Sequence, residues 1–345
     1  MPSRGCIAMI RAAIVGLGRW GRALVTAVPD KRDDIIFTRA YTRTKASAEA
    51  FCRDHRVPLA DSYEEILSDP AIDAVVLATP HSVHEAQALA AIAAGKHVFV
   101  EKPMTLDLAS AHRVVDAARD ANVVLAVGLA RRFHPSFAAL RERVRDGRLG
   151  SVIAMVAQHT TSTAQFVAFD NWRSSPEEAP AGALTAVGVH ALDHMIELAG
   201  NVRDVRCVTA RKHPGRADDT TTVMLRFASG ATGLLFCSVA TATNFAFTVY
   251  GTNGLGEITR ADLSRLRFAP MATAAPTGRV LAMPDEIFEH AGFDTLRAEL
   301  AAFARAIVGE KPYPVPLDEV LHGMAVFDAI VKSAENGAIV DVFGA

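Results

Sequence analysis

The chain has 345 residues, of which 50% are apolar and 21% charged, and its formal net charge is −2. A chain of this length usually folds into two domains, and this composition is that of a globular protein. Acids and bases are spread along the chain, so no basic face for nucleic acid is expected. No apolar run reaches the roughly 18–20 residues of a membrane-spanning helix, so no membrane partner is expected either.

The N-terminus superficially resembles a signal peptide, because apolar residues follow Arg4. However, Arg11 interrupts this run and a glycine motif follows at once, so cleavage there would destroy a strand. Met9 is a candidate for the true start. The cysteines make no C-x-x-C pair and are expected to be reduced, mostly buried thiols of a cytoplasmic protein. They are Cys6, Cys52, Cys207 and Cys237.

Strand and helix patterns alternate over the first third of the chain. The first apolar strand ends in the glycines of GLGRWG, and a helical pattern follows it. The strand DAVVLATP is almost continuously apolar, which is typical of a strand covered on both faces. This alternation predicts an α/β domain with a doubly wound parallel sheet over residues 1–128.

Longer β-rich runs follow after residue 128, beyond a helix at SFAALRERVRDG. Turns such as Ala228-Ser229-Gly230 and Asn253-Gly254 separate several of them and are hairpin signals, which predicts a largely antiparallel sheet. Helices around Thr295–Val308 and Leu317–Ala334 close the chain. Residues 129–345 are therefore predicted to form an α+β domain.

GLGRWG has the spacing G-x-G-x-x-G, and it gains meaning because it follows a strand and opens a helix. Gly16 permits a tight turn, Gly18 lets the backbone approach a pyrophosphate, and Gly21 allows close helix–strand packing. The helix N-terminus offers N–H groups to the phosphates. We predict a dinucleotide site here that also includes Arg19 and Trp20. A tight turn without a ligand is the alternative.

The strand HVFV ends in Glu101-Lys102-Pro103. Ligands of doubly wound sheets sit beyond the carboxyl ends of the strands, and Pro103 favours an extended Lys102. Glu101 and Lys102 are therefore predicted to lie in the cofactor crevice, where a nicotinamide would react. A solvated lysine at the edge of the sheet is the alternative.

Two more candidates, His190 and Asp193, are three residues apart and so share one helical face. A lone histidine on a helix is more often structural than catalytic. The presence of Lys102 is what makes a catalytic role for His190 worth predicting.

Together these motifs resemble the glucose–fructose oxidoreductase/inositol dehydrogenase (Gfo/Idh/MocA) family over almost the whole chain. The resemblance implies a Rossmann domain and a second domain with an open, mostly antiparallel sheet, whose exposed face forms a homodimer or homotetramer interface. It also implies hydride transfer between a nicotinamide cofactor and a carbon of a sugar, polyol or related small molecule. The matching segments are GLGRWG, ATPHSVHEAQALAAIAAGKHVFVEKPM, NWR, GVHALDH and AIVGEKPYPV.

The resemblance assigns the hydroxyl proton to Lys102 and His190. Thr79 and Pro80 would line the nicotinamide pocket, with His84 on the same loop. A cis Lys102–Pro103 bond is common in relatives, and such a bond is cheap only before proline. We predict that Lys102 and His190 face one cleft between the two domains, where ligand pockets commonly occur.

On the substrate side, Trp172 and Arg173 resemble a family motif, and Arg173 could bind hydroxyls or a carboxylate. Many relatives carry an aspartate four residues before the histidine, where this chain has Ala186. Asp193 is the nearby acid; it could orient His190 within the substrate site or only hold the helix. No metal site is predicted.

The second strand is predicted to end at Thr42, followed by Arg43. In NAD-binding Rossmann folds an acid at this position binds the ribose 2′-hydroxyl. Here the first acid is Glu49, and a guanidinium can instead donate to a 2′-phosphate. NADP is therefore the preferred cofactor and NAD a possible one.

Three functions remain open from the sequence. The first is an NAD(P)-dependent dehydrogenase or reductase acting on CH–OH groups. The second is a glycosidase of the same family that uses tightly held NAD. The third is a non-catalytic regulator that senses dinucleotides, although a binding module does not need both Lys102 and His190.

Overall fold

The structure is a computed structural model that describes residues 9–29, 34–166, 171–213, 217–274, 280–281 and 283–342. Cys52, Cys207 and Cys237 are buried, free thiols, as predicted. Cys6, for which the same prediction was made, lies outside the described residues. The chain divides into two compact units. The first comprises Met1–Ala130 and Asp294–Leu321, and the second Arg131–Phe293 and His322–Ala345.

The described residues form nine α-helices, none of which is long and apolar enough to cross a membrane. The helices are α1 (Arg19–Ala27), α2 (Glu49–His55), α3 (Tyr63–Ser68), α4 (His84–Ala93), α5 (Leu108–Asp120), α6 (Pro135–Arg145), α7 (Val189–Ala199), α8 (Thr295–Ile307) and α9 (Leu317–Asn336). The strands are β1 (Ile10–Val15), β2 (Ile35–Tyr41), β3 (Ala74–Leu77), β4 (His97–Glu101), β5 (Leu125–Gly128), β6 (Val152–Thr160), β7 (Val202–Ala210), β8 (Thr220–Phe227), β9 (Thr232–Ser238), β10 (Asn244–Gly251), β11 (Gly254–Thr259), β12 (Arg265–Pro270), β13 (Thr273–Ala274), β14 (Val280–Leu281), β15 (Glu286–Glu289) and β16 (Val340–Asp341).

A five-stranded parallel sheet with the order β2-β1-β3-β4-β5 forms the centre of the first unit. All residues of β3 and β5 are buried, as expected for strands covered on both faces. This confirms the predicted doubly wound sheet. The order of the strands reverses between β1 and β3, and ligands of such sheets bind at that point, beyond the carboxyl ends of the strands.

Helix α8 belongs to the first unit, although it follows the second unit's sheet in the chain. The Phe303 ring lies 5.7 Å from the Phe99 ring of β4, edge to face. Beyond α8, the Tyr313 hydroxyl donates a hydrogen bond to the Val127 carbonyl of β5 at 3.0 Å. These contacts place Asp294–Leu321 with the Rossmann sheet, whereas the sequence-based division placed this segment in the second domain.

The second unit contains a nine-stranded sheet with the order β15-β12-β11-β10-β6-β9-β8-β7-β16. It is antiparallel except for the pair β6–β9, which confirms the predicted mostly antiparallel sheet. The turns Ala228-Ser229-Gly230 and Asn253-Gly254 join antiparallel neighbours, as their sequences predict. Helices α6 and α7 pack on one face of this sheet.

The other face of this sheet exposes large apolar side chains. Met224 of β8 lies opposite Leu234 of β9, and Val208 and Tyr250 lie on the same face by strand register. All four are exposed, and Met224 is 60% exposed. A group of exposed apolar residues on one face often marks an interaction surface.

Candidate active site

The turn between β1 and α1 leaves room for a ligand at one glycine only. A Cβ on Gly16, whose φ is +96°, would lie 2.6 Å from the Ala78 carbonyl oxygen. A Cβ on Gly21 would lie 1.9 Å from the Gly16 carbonyl oxygen, whereas Gly18 has nothing within 4 Å of that position. Gly16 and Gly21 are therefore needed by the fold, and Gly18 leaves open space where a pyrophosphate could approach the backbone.

The first turn of α1 also suits an anion. Gly18 is the N-cap and offers no side-chain hydrogen bond, and the first turn contains no acid. Arg19 is exposed, and the indole Nε1 of Trp20 is buried without a hydrogen-bond partner among the described residues. These features fit the diphosphate of a dinucleotide, because free N–H groups and the positive end of the helix dipole attract negative charge.

The loop after β2 presents one unpaired guanidinium. Thr42 is half-buried and Arg43 is exposed, and Arg43 forms no ion pair with another described residue. Lys45, which follows on the same loop, is instead paired with Asp61 at 2.5 Å. Arg43 is therefore available to a ligand at this strand end.

His84, predicted to be part of the cofactor site, is held between two loops, and its contact with the cofactor stays a prediction. It is fully buried, and its ring nitrogens each lie 3.1 Å from a carbonyl oxygen, that of Thr79 and that of Pro103. Thr79 is further held by a hydrogen bond from its hydroxyl to Gln87 at 2.6 Å. His84 thus ties the loop after β3, which includes half-buried Thr79 and Pro80, to the loop after β4.

Lys102 stands directly after β4, where the strand pattern predicts it. It is half-buried, and the Lys102–Pro103 peptide bond is cis, as predicted. Glu101 is 6% exposed, and a Cβ on Gly128 of β5 would lie 2.8 Å from its Oε1. A glycine at the end of β5 therefore leaves the space that the Glu101 carboxyl occupies.

In the second unit, His190 is the second residue of α7 and is 9% exposed. A π-helical turn, Leu184–Gly188, precedes it. The Val187 carbonyl of this turn accepts a hydrogen bond from Nδ1 of His159 at 2.9 Å. Ala186, at the position where relatives carry an aspartate, is exposed. Single π-helical turns occur frequently at functional sites.

Asp193 is bound by an arginine that the sequence analysis did not single out. Arg132, which is 3% exposed, donates to both carboxylate oxygens of Asp193, at 2.7 and 2.6 Å. Its Nη1 also lies 3.7 Å from Glu197 one turn further along α7. A bidentate pair between a guanidinium and a carboxylate fixes both side chains strongly. The geometry therefore favours the alternative in which Asp193 holds α7 in place through Arg132.

Trp172 and Arg173 form a pair of their own. The Arg173 guanidinium lies 4.0 Å from the centre of the Trp172 ring, an arrangement typical of a cation–π contact. Arg173 is exposed and Trp172 half-buried. Both are in the second unit, as is His190, whereas Lys102 is in the first. A cleft shared by Lys102 and His190 stays a prediction.

The described residues contain no group of three or more histidine, cysteine, aspartate or glutamate side chains placed to hold a metal ion. They do contain a buried acid that the sequence analysis missed, Glu299 of α8. A signal was present, because Leu296, Glu299, Leu300 and Phe303 follow the i, i+3, i+4, i+7 spacing of one helical face. An acid within such an apolar stripe is unusual.

Comparison with known proteins gives matches over both units. Residues 10–129 match the model of the GFO_IDH_MocA oxidoreductase family, NAD-binding Rossmann fold, and residues 137–257 match the GFO/IDH/MocA C-terminal domain. A Haloferax volcanii protein named D-xylose 1-dehydrogenase (NADP(+)) 2 is 31% identical over 303 residues, which is 87% of this chain and 90% of that protein. The chain belongs to the Gfo/Idh/MocA family of oxidoreductases. The prediction of an NAD(P)-dependent oxidoreductase is thereby confirmed.

Two further proteins are similar to this chain. Trans-1,2-dihydrobenzene-1,2-diol dehydrogenase of Sus scrofa is 29% identical over 218 residues, which is 63% of this chain and 64% of that protein, just under two thirds of its length. The solved structure of levoglucosan dehydrogenase in complex with NADH and levoglucosan superposes with a TM-score of 0.84 at 23% identity, over 96% of this chain and 99% of that one. The second similarity shows the shared fold.

Proposed function

We propose that this Gfo/Idh/MocA protein oxidises a CH–OH group of a sugar, polyol or related diol with NAD(P), or reduces the corresponding carbonyl. The names of its relatives, a xylose dehydrogenase and a dihydrodiol dehydrogenase, support this substrate class. The observation that carries the proposal is the position of Lys102 at the carboxyl end of β4, on the same edge of the sheet as the open Gly18 turn. The glycosidase and regulator alternatives gain no support from these relatives.

In this proposal the bound nicotinamide supplies the chemistry of hydride exchange. Lys102 accepts the hydroxyl proton during oxidation and returns it during reduction, and His190 is proposed to assist in this proton transfer. A positioned acid or base of this kind accelerates a reaction by ~10²–10⁴-fold. Trp172 and Arg173 are proposed to contact the substrate, while His84 and Asp193 fix the loops and the helix from which the contacting residues extend.

NADP is the proposed cofactor, with NAD as an alternative. Gly16, Gly18 and Gly21 shape the diphosphate site, and Arg19 and Trp20 flank it. Arg43 is exposed at the end of β2 and would donate to a 2′-phosphate. The name of the Haloferax volcanii relative includes NADP(+), which favours the same preference.

We also propose a homodimer or homotetramer formed through the exposed apolar face of the nine-stranded sheet. Val208, Met224, Leu234 and Tyr250 lie on this face by register, and burying them against a second copy would remove apolar surface from water.

The experiment that tests the proposed reaction is a screen of sugars, polyols, cyclic diols and uronic acids with NADP⁺ and NAD⁺, followed by the absorbance of the reduced nicotinamide. We expect turnover of at least one polyhydroxylated substrate, with NADP⁺ preferred. Cofactor binding without turnover of any substrate, in both directions, would contradict the proposal and favour a dinucleotide-sensing protein.

A further inference from the structure

Glu299 of α8 is a fully buried carboxyl group whose two oxygens accept no hydrogen bond from a donor group of the described residues. The charged groups that act on it are both acids, Glu101 of β4 and Asp294 at the N-cap of α8. An unpaired buried carboxylate is costly, and such a group normally keeps its proton. Glu299 is therefore expected to be a neutral acid with a proton to donate.

The packing of α8 on the sheet places Glu299 close to Glu101. Phe303 of α8 contacts Phe99 of β4, edge to face. Glu299 lies one turn before Phe303 on the same helical face, and Glu101 lies two residues after Phe99 on the same side of the strand. The space left by Gly128 holds the Glu101 carboxyl on the side of β5. The Glu101 carboxyl group therefore lies on the side of β4 that α8 covers, where it can accept a hydrogen bond from Glu299.

The electrostatics agree with this geometry. Burial, then the charge of Glu101, and then that of Asp294 raise the pKa of Glu299 well above its usual value of 4.5. Two carboxyl groups that share an apolar site commonly hold one proton between them, because both cannot be charged at once. Asp294 is exposed and accepts a hydrogen bond from the Arg297 backbone, so it is already engaged elsewhere.

We propose that Glu299 is a neutral acid that donates its proton in a hydrogen bond to Glu101, and that it thereby positions the carboxylate next to Lys102. Glu299 is a positioning residue in this account, since it acts on the reaction through Glu101. The hydrogen bond is independent of the proposed function, and only its effect on turnover rests on that function.

The protonation of Glu299 is tested by infrared difference spectroscopy of the unliganded protein at neutral pH. The spectrum of the wild type minus that of Glu299→Gln should contain the carbonyl-stretch band of a protonated carboxylic acid, and this band should shift in D₂O. The control is Glu64→Gln, which changes an exposed acid of the same unit and should remove no such band. A wild type that lacks the band at neutral pH overturns the proposal.

The positioning role is tested by comparing Glu299→Gln with Glu299→Leu on a substrate found in the screen. Glutamine keeps a neutral donor, so its kcat should stay within about threefold of the wild type. Leucine removes the donor and should lower kcat by roughly tenfold or more, because small displacements of reacting groups are costly. Dissociation constants for NADPH should change little in either variant.

Equal losses of kcat in the two variants would overturn the positioning role, because they would show that the donor does not matter. If the leucine variant does not fold, the glutamine variant decides alone. A loss of kcat in that variant overturns the positioning role, and a kcat close to that of the wild type supports it. If no substrate is turned over by the wild type, the proposed function fails, while the infrared band still decides the state of Glu299.

Discussion

Arg43 is the side chain on which the cofactor preference depends. It is exposed and unpaired among the described residues, whereas its neighbour Lys45 is held by Asp61. We expect Arg43→Ala to weaken NADPH binding by ~10–100-fold, since a charge-assisted hydrogen bond contributes roughly 1.5–3 kcal/mol, and to leave NADH binding almost unchanged. Fluorescence titration measures both affinities.

Lys45→Ala is the matched control for Arg43, because it removes a cation of the same loop that already has a partner. Its NADPH affinity should stay close to that of the wild type. Tighter binding of NADH than NADPH by the wild type would contradict the preference, and so would an unchanged NADPH affinity in Arg43→Ala.

His134, the buried N-cap of α6, makes the protein sensitive to acid. Burial lowers its pKa from 6.5 to about 4, and His290 and Arg131 act in the same direction while Asp262 opposes them. The unfolded chain therefore binds this proton more readily than the folded one. Above pH 6.5 the neutral His134 costs the folded state nothing. As the pH falls from 6.5 towards 4, the unfolded chain takes up the proton first and the free energy of unfolding decreases.

His134→Asn keeps a side chain that can cap the helix but cannot titrate. We expect the free energy of unfolding of this variant to fall less steeply between pH 6.5 and 4 than that of the wild type. Urea unfolding at several pH values in this range measures both slopes. Parallel curves for the two proteins would rule out His134 as the source of the acid sensitivity.

At the scale of elements, the turn between β1 and α1 contains one glycine expected to matter for ligand binding, Gly18, and others needed for folding, Gly16 and Gly21. A Cβ on Gly18 meets nothing within 4 Å, so Gly18→Ala should change the free energy of unfolding by only about 0.5 kcal/mol. It should nevertheless weaken cofactor binding by roughly tenfold or more, which corresponds to about 1.4 kcal/mol. Thermal unfolding and fluorescence titration measure the two effects.

Gly21→Ala gives the opposite pattern and serves as the comparison. Its Cβ would lie 1.9 Å from the Gly16 carbonyl oxygen, so this variant should be strongly destabilised with or without cofactor. A Gly18→Ala protein that binds NADPH as tightly as the wild type would show that the diphosphate does not approach this glycine.

Most elements near the candidate site could be predicted from the sequence, because their signals are local. The glycine spacing defined the β1–α1 turn, and the apolar run ending in Glu101-Lys102-Pro103 defined β4. Helix α3 was missed, although Ser62 and Glu65 have the sequence spacing of a capping box. The Glu65 backbone N–H donates to the Ser62 hydroxyl at 3.1 Å, while the Glu65 carboxylate accepts from the Asp61 backbone N–H at 2.6 Å. The strands β11, β12 and β15 were also not predicted.

The sequence could not show which helix packs against which strand, or which distant residues form a pair. Periodicity shows that α8 has an apolar face, but the contact between Phe303 and Phe99 depends on the return of the chain to the first unit. The pairing of Arg132 with Asp193 joins residues 61 positions apart, so nothing local indicates it. The π-helical turn before His190 likewise has no distinct sequence signal.

At the scale of the whole molecule, the exposed apolar sheet face predicts self-association. We expect Met224→Asp to shift the protein towards the monomer, because it replaces an apolar contact of the proposed interface by a charge that is costly to bury. Val308→Asp is the control, since Val308 is also an exposed apolar residue but belongs to the first unit, away from this sheet in the chain's division. Size-exclusion chromatography with light scattering measures both masses. A wild type that is monomeric at all concentrations tested would contradict the proposal.

The most direct test of the account is the rate of hydride transfer in Lys102→Ala. Because Lys102 is proposed to exchange the hydroxyl proton, this variant should bind NADPH almost as the wild type does and lose ~10²-fold or more in kcat on any substrate from the screen. Lys311→Ala, which removes an exposed lysine of the same unit, should keep both properties. A Lys102→Ala protein with nearly the kcat of the wild type would remove Lys102 from the mechanism and contradict the account.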